Sequence, residues 1–191
     1  MTCDEEYVNL LYGYQLARYL GQEKVQQLIR NCTWSQIPQA KEAADDIRIL
    51  FFAGYMSQSA PAQHPEGQDE VGDGEAVMVL QGSWVPNEVT EATESDDSWG
   101  FFPWPAVKAG TDGTEGVMVG AQGFGVTKDS QMKQEAFDFA YSICTGETDM
   151  KMTDAVNSIP ADTDNTQWPE VLADAAVSYT HLRAHETRSN L

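Results

Sequence analysis

Gly74-Glu-Ala-Val-Met-Val-Leu-Gln-Gly-Ser-Trp84 is the stretch on which the fold reading turns. Residues 76–80 are a continuous apolar run. A run that short, closed by a glycine, predicts a strand covered on both faces. Pro86 then sits where a helix takes its first turn, and Glu88 and Glu91 place negative charge at that helix's start. Strand, tight turn and helix in succession indicate an α/β fold.

The turn itself carries the chemistry. Gly82 lets another group approach the backbone closely. Ser83 brings a hydroxyl and Trp84 a flat apolar face. A helix start leaves backbone N–H groups unpaired, and open α/β sheets bind ligands beyond the carboxyl ends of their strands. A sugar needs this mixture, because its C–H faces pack on a ring while its hydroxyls take polar partners. From these residues alone, a core tryptophan preceded by an ordinary helix-capping serine fits equally well.

Working outward, residues 4–20 predict a helix, with Tyr7, Leu10, Leu11, Tyr14 and Ala17 at three- and four-residue spacing and Gly21 as its stop. Residues 22–30 predict a second, with Val25, Leu28 and Ile29 on one face. Residues 35–53 predict a third, capped by Thr33 or Ser35, with Pro38 in its first turn and Gly54 at its end. Residues 55–74 are rich in proline and glycine and read as an irregular loop. Residues 99–102 and 117–126 read as strands. Residues 130–144 predict a helix that Gly146 closes, and residues 147–156 and 168–175 predict short helices. So few strands among so many helices cannot form a complete sheet.

The composition narrows the function. The chain has 191 residues, 41% of them hydrophobic, which supports a packed core. Its net charge is −19, from 11 basic and 30 acidic residues, which opposes binding to nucleic acid or anionic lipid. No stretch has the apolar length of a membrane helix, and the opening residues lack a signal-peptide layout. Cys3, Cys32 and Cys144 form no CxxC and read as small buried hydrophobes.

Enzyme motifs are absent: there is no GxSxG, HExxH, P-loop or GxGxxG after a strand. His64 is the one histidine before the tail and lies in a loop. Asp69-Glu70 and Asp96-Asp97 are the carboxylate pairs a glycosidase would need, and neither sits in an apolar setting that raises a pKa. Residues 69–75 and 162–166 are similar to calcium loops, yet the first has Val71 at a ligand position and the second lacks the turn glycine. No metal or cofactor is expected.

The tail changes character. Residues 177–191 hold two of the three histidines, Arg183, Arg188 and a single acid, Glu186; without them the chain carries 9 − 29 = −20. Val177-Ser-Tyr-Thr-His-Leu-Arg-Ala-His-Glu-Thr187 resembles a translated transposon end and adaptor from a sequencing library. The segment is therefore expected to make no specific packing contacts. The i, i+4 pair His181 and His185 is not assigned to a metal.

A family resemblance spans residues 4–176. Residues 74–84 resemble the "GxAAM…GSW" segment of extracellular solute-binding proteins of ABC importers, family 1, carbohydrate type. Phe101-Phe102-Pro103-Trp104-Pro105 resembles the family's "fPxP" segment. Gly120-Ala-Gln-Gly-Phe-Gly-Val-Thr-Lys128 resembles its glycine-rich strand, Glu135-Ala-Phe-Asp-Phe139 its "eaAxxFl" helix, and Ile159-Pro-Ala161 its "lps" region. The resemblance implies a partial two-lobed, type II binding-protein fold. Residues 1–98 would be the first part of the later lobe, 99–145 a crossover strand and insertion into the first lobe, and 146–176 the closing helices. It implies a truncated, monomeric, non-enzymatic protein that works outside the cell or in the periplasm, lipid-anchored at full length. Its partners would be a small solute, a sugar or oligosaccharide, and the membrane subunits of an ABC permease.

The implied solute contacts are Gly82, Ser83 and Trp84 in the turn and Gln122 and Gly123 on the glycine-rich strand, with Tyr12 as a second stacking ring. Trp34, Trp99, Trp104 and Trp168 read as packing residues. The competing readings are a glycan-acting enzyme such as a glycoside hydrolase, or an interaction module with no ligand. With half a cleft, one ring stack of about 1 kcal/mol and a few hydrogen bonds must offset an association cost of several kcal/mol, which predicts millimolar sugar affinity or weaker.

Overall fold

The computed structural model describes residues 1–111, 113, 118, 120 and 123–175. The predicted helical periodicities become three packed helices: α1 (Val8–Leu20), α2 (Gln22–Asn31) and α3 (Pro38–Phe52). A short 3-10 turn, Glu5–Tyr7, leads into α1. Gly21 takes φ +79°, a conformation costly for any residue with a side chain, so α1 stops and α2 starts within one residue. Pro38 is in the first turn of α3, as expected. The expected caps are not used: Thr33 precedes and Ser35 lies within the 3-10 turn at Trp34–Gln36, and Ile37 stands at the helix start without a side-chain bond.

Helix α1 divides two apolar clusters. Leu16, Leu28, Ala40 and Ala43 form one, with Tyr12, Tyr19, Val25 and Ile37 around it. Cys3, Leu11, Met56 and Ala60 form the other, with Leu50, Phe51, Leu80 and Trp104 packed against it. A polar seam locks α1 to α3. Asp46 accepts hydrogen bonds from Gln15 Nε2 and from the Tyr19 hydroxyl, each 2.6 Å, and this carboxylate pushes the Tyr19 phenol up to about 12. Trp104 joins the seam, donating from Nε1 to Gln15 Oε1 at 2.8 Å and accepting from Arg18 Nε at its carbonyl. Trp104 also stacks on Tyr14, so its packing role holds.

The next helices are α4 (Glu66–Gly72), α5 (Val85–Thr93), α6 (Lys133–Ile143) and α7 (Gly146–Val156). Helix α4 corrects the expectation of an irregular segment over residues 55–74. Two glycines in seven residues make it a poor helix on propensity, and tertiary contacts hold it: it packs on α5, and Gly67 donates its N–H to the buried Asp4 carboxylate at 2.8 Å. Gly146 opens α7 instead of closing α6, whose end is Cys144. Helix α6 buries no residue, and Phe137, Phe139 and Tyr141 stay exposed. Of the cysteines, Cys3 is buried and Cys32 is exposed, against the expectation for the latter.

The expected sheet is not formed among the described residues. The two pairings are isolated parallel bridges, Thr2 with Val79 and Asp4 with Ala62. Residues 76–80 are therefore not a buried strand: Val77 is 84% exposed and Met78 43%. An apolar run becomes a covered strand only when neighbours pair both its edges and layers cover both faces. Here a single bridge pairs one edge. Residues 99–102 and the described residues within 117–126 likewise belong to no ladder. Residues 177–191, on which the adaptor reading falls, lie outside the described residues.

Candidate functional site

The turn after Leu80 is built around contact between Gly82 and Trp84. A Cβ at position 82 would lie 2.5 Å from Trp84 Cζ2 and nearer still to Cζ3 and Cη2, so only glycine lets the indole lie against this backbone. Trp84 is the residue preceding α5, and its carbonyl accepts from Asn87 N at 3.1 Å. The residue is 44% exposed, so it does not belong to the core. Ser83, half-buried, lies one residue before the cap position and is not the cap. Both parts of the alternative reading of this turn are thereby removed.

Beneath the turn runs a polar network that the sequence did not announce. Asp4 is completely buried. Its Oδ1 accepts from Gly67 N, and its Oδ2 faces His64 Nδ1 at 3.1 Å and accepts from Gln81 Nε2 at 3.3 Å. Gln81 Nε2 also donates to Gln68 Oε1 at 2.9 Å, and Gln81 Oε1 accepts the Gly82 N–H at 3.1 Å. Gln68 Nε2 in turn donates to Glu88 Oε2, in the first turn of α5, at 3.0 Å. Both ends of the turn are therefore held by side chains. The Asp4 carboxylate raises the pKa of His64. Burial and the charges of Asp4 and Glu70 push the Cys3 thiol up to about 11.

A groove of about 590 Å³ runs beside the turn, between residues 76–81 and residues 97–102. Gln81 and Val85 line it, but Gly82, Ser83 and Trp84 do not. Trp99 also lines it, with a buried indole N–H. The other expected contacts are apart from the turn. Tyr12 belongs to the α1–α3 cluster, its hydroxyl bonded to Ala40 O at 3.0 Å and its ring 6.2 Å from Trp34. Gly123 is on exposed coil, and Gln122 lies outside the described residues.

The acidic segments also resolve. Asp69 departs from expectation, since burial, followed by the charges of Asp73 and Asp4, raises its pKa. Glu70 next to it accepts the hydroxyls of Ser57 and Ser59. Neither carboxylate lines the groove, so the pair does not flank a cleft as a glycosidase requires. At the second loop, Asp149 accepts from Ala161 N, Asp162 N and Asn165 Nδ2. Asp162 accepts from Gly146 N and Asp164 N, which lower its pKa. These oxygens are engaged by N–H donors, and no group of His, Cys, Asp and Glu suited to a metal occurs among the described residues.

The sequence profile of the bacterial extracellular solute-binding protein family matches residues 12–178. The chain belongs to that family. Nothing among the curated proteins or the solved structures matches it. Membership supplies the general activity of this solute-binding protein, capture of a small solute outside the cell. No helix among its described residues is long and apolar enough to cross a membrane. The turn at Gly82–Trp84 lies inside the matched region, as do all the other residues singled out for solute contact.

Proposed function

We propose that this chain is the capture component of an ABC importer and that its solute is a carbohydrate, met by the Trp84 ring. Family membership over residues 12–178 is the observation that carries the reading. The part-exposed Trp84 held against Gly82 supports a sugar in particular, because a fixed apolar ring face matches the C–H face of a pyranose better than it matches a charged solute. In this reading residues 1–98 and 146–176 belong to one lobe and residues 99–145 reach into another, and closure of the lobes on the solute is what the permease recognises. Gln122 and Gly123 contribute from the second side, and Tyr12 is a second ring on the same lobe as Trp84. The protein then works at the cell surface or in the periplasm, held by a lipid anchor.

The test is saturation-transfer NMR on the chain with a panel of oligosaccharides, a method that reads millimolar binding. Transfer to sugar C–H protons that is lost in Trp84→Ala, with the glycans recovered intact, is the expected outcome. Cleavage of a glycan would establish the enzyme reading instead. Absence of transfer with every glycan, or transfer indifferent to Trp84→Ala, would refute the assignment.

A further inference from the structure

We infer that Gln81 is a positioning residue for solute contact: held by the buried Asp4, it fixes the Gly82 backbone and through it the plane of the Trp84 ring. The inference rests on the proposed function in one respect, that Trp84 meets the solute. The positioning relation itself stands on geometry. Among the described residues, Gln81 alone is bonded at once to the buried anchor and to the turn: Nε2 reaches Asp4 Oδ2 and Gln68 Oε1, while Oε1 takes the Gly82 N–H. Asp4 cannot shift to follow it, because its other oxygen is bonded to the backbone of α4 and its side chain has no exposed surface. The indole lies directly on Gly82, so rotation of that peptide moves the ring. On the far side, Gln68 fixes Glu88, which keeps the first turn of α5 in register with the same anchor. A hydrogen-bonded amide is suited to this task, since it supplies a donor for the carboxylate and an acceptor for the N–H in one planar group.

The network also meets solvent at one point. His64 shares Asp4 Oδ2 with Gln81, and its side chain is 37% exposed. The charged groups around it are Asp4 beneath, Glu6 from the turn before α1, Asp69 from α4, and Glu88 and Glu91 from α5. All are acidic, and with the Asp4 bond they favour the protonated ring over the burial that opposes it. Protonation of His64 strengthens its claim on Oδ2 and changes the pull on Gln81. Trp84 should therefore report the titration of His64, which a purely space-filling Gln81 would not transmit.

The experiment uses the chain labelled with 5-fluorotryptophan, with the Trp84 fluorine resonance assigned by its loss in Trp84→Phe. In the native chain that resonance should move with pH around the His64 titration, and in His64→Gln it should not. Gln81→Leu should shift and broaden the Trp84 resonance while leaving the other four in place, and should weaken glycan binding about tenfold, to the level of Trp84→Ala. Gln81→Glu separates positioning from packing. At neutral pH it places a second carboxylate against Asp4 and should resemble Gln81→Leu. Below about pH 5 the new carboxyl, once protonated, again offers a donor to Asp4 and an acceptor to the Gly82 N–H, and the Trp84 resonance should return to its native position. If Gln81→Leu fails to fold, the Gln81→Glu titration decides. A Trp84 resonance unmoved by either variant overturns the inference. A resonance that behaves as stated beside glycan binding indifferent to Trp84→Ala overturns the solute assignment while leaving the positioning relation in place.

Discussion

Replacing Gly82 with alanine tests the central contact of the turn. The added Cβ lies 2.5 Å from Trp84 Cζ2, whereas carbon atoms pack at about 3.5–4.0 Å, so the ring must retreat by at least about 1 Å. It has room to do so, because 44% of the residue already faces solvent. A tryptophan buries about 150–250 Å² when fully covered. Giving up about 50–100 Å² of ring contact costs about 1–2.5 kcal/mol at 25 cal/mol per Å². The backbone at Gly82 is not in the left-handed region, so alanine adds no strain, and restricting the unfolded chain returns about 0.4–1 kcal/mol. The net loss of stability should be about 1 kcal/mol. Gly110→Ala is the control. Its Cβ would sit 2.6 Å from Val107 Cγ2 and nearer still to the carbonyl oxygen of Arg18. That oxygen belongs to α1 and cannot swing away, so about 2–3 kcal/mol should be lost. Urea unfolding of both variants measures the two losses. The emission of Trp84, taken as the difference from matched Trp84→Phe proteins, should move to the red in Gly82→Ala alone. A Gly82→Ala protein as unstable as Gly110→Ala, or one with unchanged Trp84 emission, would refute the account of the turn.

Four further outcomes are expected. Leu172→Ala removes a side chain with no exposed surface and should cost about 2–5 kcal/mol in urea unfolding. Asp149→Ala strands the Ala161 and Asp162 N–H groups and should cost about 2 kcal/mol, with hydrogen exchange accelerated at both amides. His64 has a folded pKa above its ordinary 6.5, so its contribution is complete below the ordinary value and is lost as pH rises through the raised one. The stability gap between the native chain and His64→Gln should therefore be widest below the ordinary value and narrow as pH rises above it in chemical denaturation. Cys32 is exposed and Cys3 is buried with its thiol raised to about 11. Iodoacetamide should label Cys32 in the folded protein and reach Cys3 only after unfolding, as peptide mass mapping will show.

Helices and turn residues were legible because their signals are local. The apolar spacing of α1 to α3, the stop at Gly21 and the first-turn prolines at 38 and 86 each act within a few residues. The Gly82-Ser83-Trp84 turn was legible for the same reason, since the glycine exists for a ring two positions away. Residues 76–80 misled because burial belongs to neighbours, and an apolar run has no means of stating whether a ladder pairs it. Helix α4 was missed because its own propensity is poor and its stability comes from Asp4 and α5.

The sequence by itself determined the helical scaffold, the acidic surface, the family and the identity of the turn that presents Trp84. Tertiary structure alone decided what holds that turn. Asp4 lies 77 positions before Gln81 and 60 before His64, and no periodicity or spacing links residues so far apart. Buried polar groups must find partners wherever the packed chain brings them, because a carboxylate shut away from water without donors costs several kcal/mol. Folding therefore chose Gly67, His64 and Gln81 as those donors, and by that choice connected the first residues of the chain to the ring proposed to meet its solute.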